Sequence, residues 1–545
     1  MKRAVRYANQ TKKSTSNKVN SNSISAYKFM TNYTNRSVTE NGAMGYRTTT
    51  SSLVDLNFMV SSLREREEEE IVKAFTKAYY EEPKYAVKWL FFLRDILEGL
   101  GERRSFRICL KYLAISHTKV ARAIMELVPE YGRYDDWLIL MDTPLSQEVC
   151  KCIQKQLAAD IASMENKQPV SLLAKWLPSA NASSKESRRL ALRIAAELGM
   201  SERNYRKTLS RLRSYSKVVE VKISASEWNQ VDYPLVPAKA NLKYQDAFLR
   251  HDAVRRYEYL MNVAIGNAKL NSNGLMPYEL VHNLTKGEYI YGAVKDDILT
   301  EMLWQKLLQE GYKNEWGFED CIVVADGSGS MYSKVSDNAK VSAIEVCHSL
   351  AIYFAEQLKG IYHNKAITFS ETPQFIDLEP GKTLKEKLEI LRAYDEVENT
   401  NIEAVFDLLL AMAVKKQVPK EEIPKQVLII SDMEFDAAQK PIYVPRKSSQ
   451  TWSPFGLSLF QTIEKKYKLA GYEMPRLIFW NVVSRSNTIP MLNSKNGVSL
   501  ISGFSQNAMK VAAQKDAKEP YDSLIQTLDQ PRYDLVGEAL KVVSL

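Results

Sequence analysis

The sequence predicts a protein of two unlike parts: an α-helical first part, and an α/β second part built on a mostly parallel, doubly wound sheet. Three observations carry this. Between about Ser51 and Trp316 the apolar residues recur at helical spacing, without the alternation of a half-buried strand. From Cys321 onward short β-branched runs alternate with amphipathic stretches of helical length, the pattern of strands covered on both faces by helices. The 545 residues are also enough for two to four units of roughly 100–200 residues each.

Residues 1–40 read as a basic arm. Up to Thr39 they carry Lys2, Arg3, Arg6, Lys12, Lys13, Lys18, Lys28 and Arg36 and no acid, among Ser, Asn and Thr. Such a segment is too polar to fold alone; it suits a polyanion, or serves solubility. Residues 41–316 form the helical domain. Val72, Phe75, Ala78 and Tyr79 make one stripe, and Ala86, Trp89, Leu90 and Leu93 another. Glu67 to Glu70 precede Lys73 and Lys77, as the helix dipole favours. Pro178 lies in a break, KWLPSANASSKE, where Ser183 or Ser184 can cap the next helix.

That next stretch, Lys185 to Lys217, is the most basic of the helical part. Arg188, Arg189, Arg203, Arg206, Lys207, Arg211 and Arg213 lie in it, with Tyr205 and Tyr215 interleaved. Arginine forks match phosphate oxygens and tyrosines stack on unpaired bases, so these are candidate RNA contacts. Arg103, Arg104 and Arg107 form a smaller knot and Arg250, Arg255 and Arg256 another. The plain alternative is that such arginines solvate helix faces or pair with nearby acids.

Residues 317–545 form the α/β domain. Strands are expected at CIVVA, KAITFS, QVLIIS, RLIFWNVV and VSLIS, with helices such as LKEKLEILRAY, IEAVFDLLLAMAVKK and LSLFQTIEKKYKLAG between them. In such sheets ligands sit at the carboxyl ends of the strands. There lie Asp326, Ser328 and Ser330 after one strand and Asp432 after another, with Thr400 opening a helix. Two carboxylates and three hydroxyls suit a hard cation: Mg2+, with Mn2+ or Ca2+ as alternatives. An ion held so sparingly keeps a position for an outside carboxylate or phosphate oxygen. Glu434 and Asp436 could tune the ion from outside its ligand set or merely face water.

Asp326-Gly-Ser328-Gly-Ser330, then Thr400, then Asp432 resembles the metal-ion-dependent adhesion site (MIDAS) of von Willebrand factor A domains. Two departures stand out: the lead-in to Thr400 is VENTN, and Met433 follows Asp432 where the family usually has glycine. In the helical part TENGAMGYRTTTSSLVDLNFMVSSLR, FLRDILEGLGERRSFR, YGRYDDWL, SLLAKWLPS and LRHDAVRRY resemble an uncharacterised family that joins a helical domain to a von Willebrand A-like domain. The arrangement is similar to the Ro autoantigen family, whose TROVE domain is a ring of HEAT-like helix pairs closed by an A domain. The resemblance implies RNA as partner, noncoding or structured with single-stranded ends, in a ribonucleoprotein. The A-like site implies a second possibility, a protein partner held through an acidic side chain.

Enzyme readings fare worse. The GKT at Gly381 has Ile376 where a Walker A loop needs its first glycine. DGSGS is not a nucleophile elbow, and the five histidines are scattered. His348 reads as a core or helix-face residue, and His251-Asp252 as a helix-surface pair. Trp176, Trp304, Trp316 and Trp480 read as core fillers. A noncatalytic protein is expected. No stretch approaches the ~20 apolar residues of a membrane span, and five cysteines without a CxxC pair suit a reducing, cytoplasmic setting.

Overall fold

The computed structural model describes residues 35–38, 44–216, 219–285, 293–313, 320–335, 339–395, 401–433, 457–483, 489, 497–508, 511 and 519–543. A short hairpin comes first, β1 (Arg36–Val38) and β2 (Met44–Tyr46). Helices follow: α1 (Ser52–Phe58), α2 (Glu68–Glu81), α3 (Pro83–Arg94), α4 (Arg104–Ser116), α5 (Ser146–Glu165), α6 (Lys185–Glu197), α7 (Glu202–Tyr215), α8 (Ala238–His251), α9 (Ala253–Ala264), α10 (Pro277–Thr285) and α11 (Ile298–Lys313), with short helical turns between them. The second part runs β3 (Cys321–Ala325), α12 (Ala343–Ala355), β4 (Lys365–Thr368), β5 (Phe375–Asp377), α13 (Leu384–Arg392), α14 (Ile402–Lys416), β6 (Gln426–Ser431), α15 (Leu457–Leu469), β7 (Arg476–Asn481), β8 (Val498–Ser502), α16 (Pro520–Leu528) and α17 (Asp534–Leu540).

Local chemistry explains the helix starts. Glu68, Glu69 and Glu70 occupy the first turn of α2, where the amide dipoles favour negative charge. Ser184 accepts the Ser187 amide at 3.3 Å to cap α6, and Ser201 accepts that of Asn204 at 3.2 Å to cap α7. The stripe expected on α2 is buried through Phe75, Ala78 and Tyr79, joined by Ile71, while Val72 is only half-buried. On α3 the whole run from Ala86 to Arg94 is buried, not one stripe of it. The reason comes from the far end of the chain: α16 and α17 pack on its second side. Lys88 is thereby buried too, its ammonium donating to Asp529 at 2.7 Å and to the Leu528 carbonyl at 3.0 Å.

The six strands of the second part form one sheet in the order β5-β4-β3-β6-β7-β8. All neighbours are parallel except β4 and β5, which are antiparallel. β3, β6, β7 and β8 have no strand residue exposed, as helices on both faces require. Trp304 and Trp480 are fully buried and Trp176 half-buried beneath the Arg133 guanidinium, while Trp316 lies outside the described residues.

The helical part touches the sheet domain at both of its ends. At its beginning, the Ser61 hydroxyl donates to the Asn481 carbonyl at 2.9 Å, and the Gly503 amide donates to that hydroxyl at 3.0 Å. Further along, Arg532 reaches Asp95 at 3.0 Å and Glu130 at 2.9 Å. At its end, His282 on α10 meets Glu345 of α12 at 2.9 Å, the Trp304 indole donates to Glu356 at 2.8 Å, and the Leu384 amide donates to Glu301 at 2.8 Å. The chain thus makes a closed circuit of contacts, out from the sheet domain and back to it. The hairpin β1–β2 straddles residue 40, inside a stretch read from sequence as arm and domain start. Its outer strand is completed by Ile489, whose backbone pairs with Tyr46 in both directions at 2.8 Å, a partner more than four hundred residues away.

Candidate metal centre and nucleic-acid interface

Sheet register puts the two aspartates at one edge. β3 and β6 are adjacent and parallel, with Ala325 opposite Ile430, so Asp326 and Asp432 leave neighbouring strands at the same carboxyl edge. The Asp326 amide donates to the Ile430 carbonyl at 3.2 Å, extending the ladder to the site. Both aspartates are 2% exposed. The Asp326 carboxylate accepts the Ser328 amide at 2.9 Å, which folds the glycine-containing loop back on it. Ser328 and Ser330 place their hydroxyl oxygens 3.1 Å apart. Thr400 lies outside the described residues, as do Glu434 and Asp436.

After Asp432 the backbone turns left-handed: Met433 has φ +65°. Glycine adopts that conformation freely, whereas a residue with a side chain gives up on the order of 1–2 kcal/mol. The methionine makes the turn all the same. Its side chain is buried and its amide donates to Ser431 Oγ at 3.0 Å.

The donor set is entirely oxygen and combines two buried carboxylates with hydroxyls, so it fits a hard divalent cation. Among the described residues no group of three or more His, Cys, Asp or Glu side chains is arranged to hold a metal. An ion here would therefore complete its shell with hydroxyl, water or ligand oxygens. Burial holds the thiol of neighbouring Cys347 well above the usual range. His348, expected in the core or on a helix face, is buried with Nε2 3.0 Å from Asp395.

The basic candidates divide sharply. Arg103, Arg189, Arg203, Lys207 and Arg211 are exposed, with no ion-pair partner among the described residues. Arg188 is exposed but donates to the Ala182 carbonyl at 2.9 Å, and Arg206 stands 4.0 Å from Glu202. Arg104 donates to the Arg64 and Arg66 carbonyls. Two candidates are corrected. Arg213 is half-buried and donates to the Ala174 carbonyl (2.7 Å), Ser179 Oγ (2.7 Å) and the Leu177 carbonyl (2.8 Å); it closes the end of a helical turn and burial lowers its pKa. Arg107 is locked to Asp136 at 2.6 Å and Asp135 at 2.8 Å. Asp136 is fully buried and is shared with buried Arg94 at 2.8 Å, so this knot is an internal ion network.

Tyr205 is also corrected as a stacking residue. It is fully buried and its hydroxyl donates to the Pro178 carbonyl at 3.0 Å. Tyr215 is half-buried and donates to the Gln168 carbonyl. In the third knot Arg256 is buried among Tyr233, Phe248 and Tyr259, and Arg255 is held by Asp252. His251 stacks on Trp228 at 4.5 Å, so His251 and Asp252 are each engaged elsewhere. The 3-10 segment Tyr134–Asp142 joins the first two knots. Arg107 binds Asp135 and Asp136 near its start and Arg193 binds Asp142 at its end at 2.7 Å.

Sequence reading missed Asp395 and Tyr332. The Tyr332 hydroxyl donates to Asp395 at 2.7 Å, close behind the loop that carries Ser330. No motif marks either residue; only the fold brings them together.

Comparison with known proteins follows the same division. Residues 39–130 and 143–314 match the model of a domain of unknown function (DUF2828), and residues 320–532 that of another domain of unknown function (DUF7788). The two matches abut where the helices give way to the sheet. Over 534 residues the chain is 28% identical to an uncharacterized protein of Acanthamoeba polyphaga mimivirus, covering 91% of this chain and 87% of the viral protein. No helix among the described residues is long and apolar enough to cross a membrane.

Proposed function

We propose that this chain is a noncatalytic RNA-binding protein, a ribonucleoprotein component, whose helical part is TROVE-like and whose α/β part is a von Willebrand A-like domain with a divalent-cation site. The observation that supports it most is the pairing of Asp326 with Asp432 at one sheet edge, beside Ser328 and Ser330. On this reading Mg2+ is held there by the two carboxylates and the hydroxyls, and it supplies a Lewis-acidic position for an outside oxygen. The chain's own residues fix the carboxylates and shape the loop. RNA is gripped by the exposed cations of α6 and α7, namely Arg189, Arg203, Lys207 and Arg211, with Arg188 and Arg206 in support. Arg103 and Arg104 of the α4 knot are the more distant candidates. Cytoplasmic residence fits this role.

The test is a titration of the full chain with single-stranded RNA at several salt concentrations, with Mg2+ and with EDTA. Binding through phosphates should weaken steeply with salt, by a slope of about −0.7 per contact; a flat salt response would reject it. The second reading is an adaptor that captures an acidic side chain of a protein partner at the metal. It is favoured by the loss of Arg107, Arg213 and Tyr205 from the RNA surface. It expects Asp326→Ala or EDTA to abolish partner capture while RNA binding persists.

A further inference from the structure

We infer that Asp395 is a positioning residue for the metal loop, setting Ser330 through Tyr332; this rests on the metal reading above. The chain reverses after Asp326 and then makes a 3-10 turn, Gly329–Tyr332. Ser330 is the second residue of that turn and Tyr332 closes it. Its backbone is tied locally, the Ser333 hydroxyl donating to the Ser330 carbonyl at 2.7 Å and the Met331 amide to the Ser328 carbonyl at 3.1 Å. The Ala343 amide also donates to the Ser333 carbonyl at 2.9 Å, which ties the end of the turn to the start of α12.

Asp395 adds a side-chain tie at Tyr332. One carboxylate oxygen accepts the Tyr332 hydroxyl at 2.7 Å and the other lies 3.0 Å from His348 Nε2. His348 belongs to α12, which is buried along its whole length, so the far end of the bridge is anchored in the core. The Asp395 side chain is only 9% exposed and that of His348 2%, a setting in which hydrogen bonds to a carboxylate are strong. The cavity that Asp395 shares with Gly327, His348 and Ser370 has a volume of about 10 Å3, room for one water at most. Asp395 is thus committed to the bridge and not to an incoming ligand. Partners of this kind, which touch the ligand-bearing element and not the ion, commonly govern metal affinity by 10–100-fold.

The experiment is Mn2+ titration of the full-length chain by calorimetry, with thermal unfolding alongside. Tyr332→Phe and Asp395→Asn should each raise the Mn2+ dissociation constant about tenfold. Tyr472→Phe loses a comparable hydroxyl bond, 2.9 Å to the Val418 carbonyl at the other end of α14, and should leave Mn2+ affinity unchanged. Positioning of Ser330 also predicts coupling: once Ser330→Ala is present, Tyr332→Phe should weaken Mn2+ binding no further. Mn2+ affinity within twofold of wild type in both single variants overturns the inference, as does a Tyr332→Phe effect that persists in full on Ser330→Ala. Should Asp395→Asn fail to fold, Tyr332→Phe and its double variant decide alone. A wild-type chain that takes up no Mn2+ overturns the metal reading itself and this inference with it, a failure visible before any variant is made.

Discussion

The carboxyl edge of the sheet and the basic surface of α6 and α7 are the two candidate sites, and they are built on opposite terms. At the edge, two acids more than a hundred residues apart are set side by side by a backbone ladder. The backbone that carries them belongs to neighbouring strands, so their placing at one edge follows from register. On the helices, cations close in sequence are dispersed around a cylinder, and some turn inward. Arg213 closes a helical turn, Arg107 joins a buried network and Arg256 is boxed by aromatic rings. Charge density along a sequence overcounts a binding surface because arginine also serves interiors.

Perturbations should separate the two sites. The largest effect lies in the internal ion network: Arg94→Ala leaves buried Asp136 with Arg107 as its remaining ion-pair partner, and the expected cost is about 3–5 kcal/mol of stability by thermal or denaturant unfolding. Next, Asp326→Ala should weaken Mg2+ or Mn2+ binding at least a hundredfold by calorimetry, with salt-dependent RNA binding unchanged. Replacing Arg189, Arg203, Lys207 and Arg211 together by Gln should lower single-stranded RNA affinity about tenfold or more and flatten the salt slope. Arg213→Gln, by contrast, should lower the melting temperature and leave the slope alone. Retention of the slope in the quadruple variant would move the RNA surface elsewhere.

A smaller effect concerns pH. Glu345 and Asp529 lie on the two contacts between the parts. Burial pushes each carboxyl up, but it is outweighed by the bonds from His282 and Ser342 to Glu345, and from Lys88 and Tyr85 to Asp529, so both are held below the ordinary range. A depressed folded pKa stabilises above the ordinary value, about 4, and that stability is lost as pH falls through the folded one. Melting temperature should therefore drop between about pH 5 and pH 3, less steeply in Glu345→Gln than in wild type.

Much of the fold was legible in sequence. The helical stripes of α2 and α3, the Ser184 cap, and the strands at CIVVA, KAITFS, QVLIIS, RLIFWNVV and VSLIS all follow from local pattern. So did the placing of Asp326 and Asp432 at one sheet edge, since strands of a parallel sheet deliver their following residues there. What escaped was tertiary. The second buried side of α3 depends on α16 and α17, and the hairpin on Ile489. The inward turn of Tyr205 depends on the Pro178 carbonyl, and the Tyr332–Asp395–His348 bridge joins three elements. No window of sequence contains any of these pairs.

The circuit of contacts has a mechanical consequence. Because the helical part is fastened to the sheet domain near Ser61 and Arg532 and again near His282 and Trp304, a single cut in a loop such as 166–170 would not release either fragment. The nicked chain would migrate as one body under native conditions and fall into two only in denaturant.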